Sequence, residues 1–400
     1  MLTSLSLIFL LGLAAAAVCK KLHLPRMIGM LLVGVVLGPF VLKLLDPTIL
    51  SVSADLRQMA LIIILIKAGL TLRMGDLRKV GRPALLMSFL PAAAEIAAVV
   101  LFAPPLLGVS RMEAALIGAV LGAVSPAVVV PKMVQLIEEK RGTDKSIPQL
   151  ILAAASLDDV FVIVLFTTFV GMVQGGGADL LAFADIPVSI VLGIALGALT
   201  GWLLGWFFAA VFAHGGGIRN SVKVIVVLGV AFGLMAVETL LSGFVSVSGL
   251  LAVMSMACVL QMKSAAAVSG RLSEKFGKLW IAAEVLLFVL VGAAVDIRYT
   301  LGAGPRAAVL ILIGLVFRSA GVLLCMIGTP LTWKERLFCV IAYLPKATVQ
   351  AAIGGVPLSL GLACGNTVLS VAVLSIVLTA PLGAFGMDLT CRRLLHKECE

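Results

Sequence analysis

The sequence predicts an all-α polytopic membrane protein of about thirteen transmembrane helices, arranged as two inverted five-helix repeats with one discontinuous helix in each. Three observations predict it. Hydrophobic residues make up 62% of the 400 and charged residues only 12%, whereas globular proteins hold roughly 45–50% apolar and about 25% charged residues. Apolar runs of bilayer-spanning length, about 20 residues each, follow one another along nearly the whole chain. The Lys and Arg residues gather on alternate loops. A chain this poor in charge is no cytosolic enzyme, nucleic-acid binder or disordered scaffold, and its formal charge of +10 is explained by positive-inside bias without a nucleic-acid partner.

Apolar runs bounded by Gly, Pro and charge place the spans at 2–19, 27–45, 54–71, 82–103, 111–138, 147–172, 187–212, 219–240, 243–261, 276–296, 306–328, 333–362 and 366–388. The first reads as a span and not a cleaved signal, because Met1–Ser6 is uncharged while Lys20 and Lys21 follow the run. That flank puts the N-terminus outside. Counting basic residues down the chain agrees: 22 of 30 fall in the loops that should be cytoplasmic, and Lys43, Arg57, Arg111, Arg298 and Arg306 lie on the other side. The expected topology is N-out and C-in, in a plasma or inner membrane. Lys67, Arg318 and Lys346 remain inside spans. The loops are too short for a nucleotide-binding domain, and the three-glycine runs at 175–177 and 215–217 lack a phosphate-loop context. No enzymatic activity and no cofactor is expected. The seven cysteines form no CxxC pair and read as small core residues.

The third and tenth spans end alike, Lys67-Ala-Gly-Leu-Thr-Leu-Arg73 and Val291-Gly-Ala-Ala-Val-Asp-Ile-Arg298. The fifth and twelfth are each interrupted by proline, at Ser125-Pro126 through Pro131 and around Pro345 to Gln350. Aligning spans two to six with nine to thirteen brings both pairs into register. Units of five spans must be inverted relative to each other, the pattern that points to a secondary-transport site. Proline kinks in single helices are the plainer explanation, but two breaks at equivalent positions favour the first. The seventh span carries Gly193, Gly197, Gly201 and Gly205, a close-packing face that serves a dimer seam or an internal one equally well.

Ionised groups deep in a bilayer cost at least about 2.5–3.5 kcal/mol on insertion scales. Here they are Glu95, Asp158, Asp159, Arg318 and Lys346. Adjacent residues on a helix point about 100° apart, so Asp158 and Asp159 cannot serve one partner symmetrically. Their flanks are uncharged, so their partners come from other helices, and Arg318 and Lys346 are the deep cations at hand. For such a site to exchange a cation for a proton, one group would have to take either, and burial disfavours a bare carboxylate. A hard cation prefers oxygen ligands, which suggests Ser156, Thr348 and the carbonyls freed in the first break beside Asp159 and Asp158. Arg318 cannot release its proton and is structural or electrostatic.

The strings Ala123-Val-Ser-Pro-Ala-Val-Val-Val-Pro131, Ser156-Leu-Asp-Asp-Val160 and Leu344-Pro-Lys-Ala-Thr-Val-Gln-Ala-Ala352 resemble the cation/proton antiporter superfamily, most closely its NHA-type sodium/proton antiporters. The resemblance covers nearly the whole chain. It implies the sodium/proton-antiporter fold as a homodimer, with a core transport domain (82–172 and 306–388), a dimerisation domain (1–71 and 219–296) and a linker helix at 187–212. It also implies Asp159 as the principal carrier of Na+ or Li+ and of the proton, Asp158 sharing the site and pairing with Lys346, and a buried Glu95–Arg318 bridge. Many such antiporters have lysine where this chain has Arg318. That departure leaves electroneutral one-for-one and electrogenic two-for-one exchange open, with electroneutral preferred if an Asp158–Lys346 pair stays charged.

Rival readings are a K+/H+ antiporter, a sodium-coupled organic-anion symporter on the same architecture, a passive channel and an intramembrane aspartyl protease. A protease needs two aspartates facing each other across a bond, which neighbours on one helix cannot do. An acidic pair suits cations better than organic anions.

Overall fold

The computed structural model describes residues 1–22, 24–71, 74–175, 180–213, 219–241 and 247–397. The helices run in the order α1 (Leu2–Lys21), α2 (Arg26–Leu37), α3 (Pro47–Ser51), α4 (Ser53–Thr71), α5 (Met74–Met87), α6 (Leu90–Leu107), α7 (Arg111–Leu121), α8 (Pro126–Glu138), α9 (Ile147–Gln174) and α10 (Leu180–Ala213). They continue with α11 (Asn220–Leu241), α12 (Gly249–Lys263), α13 (Ala266–Ala293), α14 (Ile297–Cys325), α15 (Trp333–Ala342), α16 (Thr348–Ile353), α17 (Val356–Ser359) and α18 (Gly365–Leu394). Among the described residues, eight helical stretches are long and apolar enough to cross a membrane, and α2 and α12 are shorter apolar helices. The protein is a multi-pass, all-helical membrane protein.

Two compact units divide the chain: Met1–Ala54 with Arg73–Val173 and Val285–Glu400, and Asp55–Leu72 with Gln174–Glu284. In the second unit α10 lies along α12. A Cβ on Gly193, Gly197 or Gly201 would stand 2.5, 2.1 or 2.4 Å from the carbonyl oxygens of Ser248, Ala252 and Met256. The four-residue glycine spacing therefore serves an internal seam of this unit. The helix expected at 187–212 begins earlier, at Leu180. In the same unit Lys223 rests its ammonium 5.3 Å from the Phe208 ring centre.

The first unit contains the two interrupted helices. The fifth predicted span is α7 and α8, separated at residues 122–125; the twelfth is α15 and α16, separated at 343–347. The first break lies earlier than the expected 125–131. Pro126 opens α8 at its first position, where a missing N–H costs nothing, and Pro131 sits inside α8. What ends α7 is the diversion of its next amides. Val124 N–H donates to Asp158 Oδ2 (2.8 Å) instead of continuing the helical ladder, and Ser125 N–H donates to the Pro345 carbonyl (2.8 Å). The second break likewise lies at 343–347, slightly before the expected 345–350. Pro345 has no N–H, and the Lys346 amide donates to Thr379 Oγ1 on α18 (2.9 Å). Gly383, one turn further along α18, leaves room for the Pro345 ring, since a Cβ there would lie 2.1 Å from Pro345 Cγ.

Candidate functional site

Helix α6 brings Glu95 to α14, which carries Arg318. The approach is close because glycines flank Arg318 along α14: a Cβ on Gly314 would meet Glu95 Oε1 at 3.2 Å, and one on Gly321 would meet Pro91 Cα at 2.8 Å. Gly118 of α7 admits Ile96 of α6 in the same way (3.0 Å). Helix α6 thus meets both α14 and α7 closely near the first break, with Glu95 and Arg318 buried there.

Arg318 is fully buried and all three of its nitrogens are used. Nε donates to the Tyr343 carbonyl (2.7 Å), Nη1 to Glu95 Oε2 (3.0 Å) and to the Gly122 carbonyl, and Nη2 to Asp158 Oδ2 (3.0 Å). The Tyr343 ring centre lies 5.4 Å from the guanidinium carbon, a stacking that guanidinium favours. Lys346 Nζ stands 2.8 Å from both oxygens of Glu95 and also donates to the Leu121 carbonyl. The order of contacts is Lys346–Glu95–Arg318–Asp158, two acids and two bases.

This arrangement keeps the implied Glu95–Arg318 bridge but corrects the implied Asp158–Lys346 pair: Asp158 takes Arg318, and Lys346 takes Glu95. The physical reason is donor geometry. A planar fork of five N–H groups can span two carboxylates, whereas a compact ammonium sits against one. Asp159, one residue on, is buried, its Oδ1 has no hydrogen-bond partner, and no ion pair of its carboxylate is found among the described residues. Ser125, Pro345 and Thr348 meet where the breaks cross, with the Ser125 and Thr348 hydroxyls 3.5 Å apart. Pro126 begins α8 beside them and Pro131 lies further along that helix. The Ser156 side chain lies outside the described residues.

Three residues were missed in the sequence. Gln350, buried at 0% exposure, donates from Nε2 to the carbonyls of Val120 (3.1 Å) and Ala123 (2.9 Å). Thr379 holds the Lys346 amide, and Tyr343 holds Arg318. A helix end leaves carbonyls without partners. Here those of Val120, Leu121, Gly122 and Ala123 all accept side-chain donors, from Gln350, Lys346 and Arg318. In the first break the Gly122 and Ala123 carbonyls are therefore engaged by side chains.

A buried ionic cluster at the crossing of two broken helices defines this as a membrane protein of the ion-transporter class. The chain belongs to the sodium/hydrogen exchanger family: the family described as sodium/hydrogen exchanger, transmembrane, matches residues 5–390. It is 34% identical to sodium/hydrogen exchanger 9B2 of Homo sapiens over 94% of this chain and 70% of that protein. It is 34% identical to the Xenopus tropicalis protein of the same name over 86% of this chain, where it spans 64% of the relative. Sodium/hydrogen exchanger 9B1 of Homo sapiens is 31% identical over 94% of this chain and 73% of its own length. The fold is that of the sodium proton antiporter MjNhaP1 from Methanocaldococcus jannaschii (TM-score 0.81, 21% identity, 98% of this chain and 97% of that one).

Proposed function

We propose that this protein is a secondary transporter exchanging Na+ or Li+ for protons, with Asp159 as the group that takes them in turn. The observation that carries the reading is a count of buried charge. Glu95, Asp158, Arg318 and Lys346 pair among themselves and cancel. Asp159 is the odd acid, buried and without an ion-pair partner among the described residues. A buried carboxylate demands a compensating positive charge, and one proton or one monovalent cation supplies it. Competition for that place couples two fluxes one for one, without nucleotide hydrolysis or a cofactor. Exchange is then electroneutral, because the four paired groups keep their charges while Asp159 changes occupant. The reading rests on a different pairing from the Asp158–Lys346 one.

Thr348 and Ser156 are proposed as further oxygen ligands, and access alternates between the two sides of the membrane. The thirteen-span count, the inverted repeat, the N-out and C-in topology in a plasma or inner membrane, the homodimer and the core–dimerisation division belong to the same proposal. Potassium is the competing substrate within it, while a net acidic cluster disfavours an organic anion. Proteoliposomes holding a trapped pH gradient test the reading: Na+ or Li+ added outside should collapse the gradient with the wild type and not with Asp159→Asn. Cation-driven proton movement that survives in Asp159→Asn removes Asp159 as the carrier.

A further inference from the structure

Alkali cations bind backbone carbonyl oxygens well, and the number and strength of those ligands bias selection among the cations. A helix C-terminus presents such oxygens together, with the partial negative charge of the helix dipole behind them. The end of α7 is such a place, and it adjoins the acidic pair, because the next amide, Val124 N–H, is bonded to Asp158. Lys346 and Arg318 cover the Leu121 and Gly122 carbonyls as members of the ion-paired quartet. Gln350 covers those of Val120 and Ala123, and among the described residues it is their one side-chain donor. Its amide orientation is fixed by this contact: two carbonyl acceptors call for the NH2 end, which leaves Oε1 without a donor among the described residues. The cover is neutral, so it leaves the charge count of the cluster unchanged.

We propose that Gln350 is a specificity-determining residue for the transported cation, screening the carbonyl end of α7 so that carboxylate oxygen dominates the site. It acts by position and not by carrying an ion, and the inference rests on the cation/proton exchange proposed above. Losing the amide adds uncovered carbonyl ligands near Asp158. A site with more oxygen ligands accommodates a larger cation, as the contrast between calcium and magnesium sites illustrates.

The test uses the full-length protein in proteoliposomes with lithium, sodium and potassium, comparing the wild type, Gln350→Met and Gln350→Glu. Gln350→Met should raise the ratio of potassium to lithium apparent affinity by about fivefold or more. Gln350→Glu, which matches the amide in shape, should approach the wild-type ratio at low pH, where its protonated carboxyl donates one hydrogen bond, and depart from it at high pH. A purely structural role would lower the melting temperature in detergent without moving either ratio. If Gln350→Met does not fold, Gln350→Glu carries the test. Unchanged ratios at every pH in folded variants overturn the role of Gln350 while exchange by the wild type stands. Absence of cation-driven proton movement in the wild type sinks the exchange reading itself, and this inference with it.

Discussion

Nη2 of Arg318 lies 3.0 Å from Oδ2 of Asp158, and neither side chain is exposed. The same oxygen accepts the Val124 amide at 2.8 Å, whereas no ion pair of Asp159 is found among the described residues. The two aspartates therefore differ in what each substitution should do.

Asp159→Asn removes a buried charge without breaking an ion pair. The expected outcome is loss of cation-driven proton movement to the level of empty liposomes, with a melting temperature unchanged or higher. Asp158→Asn should lower the melting temperature, because it weakens the bond to Arg318. Dequenching assays and thermal melts on the same preparations check both. Equal melting behaviour in the two variants would contradict the division of roles.

Glu95→Ala leaves both Arg318 and Lys346 without that carboxylate. Breaking a buried pair by removing one partner costs about 3–5 kcal/mol, and here one substitution takes a carboxylate from two cations, leaving Arg318 with Asp158 and Lys346 with no ion-pair partner among the described residues. Thermal stability should fall more than with Glu95→Gln, which keeps an acceptor for one donor. A Glu95→Ala protein that melts like the wild type but binds sodium poorly would make Glu95 a ligand instead.

The Tyr343 hydroxyl is buried without a hydrogen-bond partner among the described residues, while its ring lies against Arg318. Tyr343→Phe should be neutral or slightly stabilising, since an unsatisfied buried polar group costs about 1–3 kcal/mol. Tyr343→Leu keeps apolar volume but loses the ring under the guanidinium and should destabilise the protein. Chemical melts in detergent that rank Phe below Leu would rule out the stacking account.

Gly197→Val places a side chain where the Ala252 carbonyl lies 2.1 Å from a Cβ. Overpacking of this kind costs about 1–3 kcal/mol. Gly229→Val on α11, where a Cβ would meet nothing within 4 Å among the described residues, should be tolerated. Comparing the melting temperatures of the two variants separates a packed seam from a general dislike of β-branched residues.

Exchange of one charge for one of the same sign moves no net charge. Initial rates in proteoliposomes should therefore stay the same when a potassium–valinomycin potential is imposed. A rate that follows the potential would replace one-for-one exchange with an electrogenic cycle.

The multi-pass, all-helical character was legible because apolar runs in a bilayer leave few choices, and the presence of the two breaks because Pro126 and Pro345 lack amide donors. Where α7 stops was not legible. Its last turn is set by Asp158 and Pro345, far away in sequence. The partner of each buried charge was hidden for the same reason: sequence supplies the ions, and donor geometry chooses the pairs. Gln350 was overlooked although it stood within a motif already singled out. An amide amid apolar neighbours has donors and acceptors that need partners, and that demand was the available signal. The spacing of Gly193, Gly197 and Gly201 announced a close approach but not the helix on the other side.

The carbonyls at the end of α7 are stitched to Gln350, Lys346 and Arg318, and Ser125 is tied to Pro345. Prising the two interruptions apart during turnover would unmake nearly every one of these bonds at once, far from water that could replace them. The crossing should instead travel through the cycle intact, as a rivet does in a moving joint. In the proposed alternating-access cycle, opening toward one face and then the other would fall to whatever surrounds it.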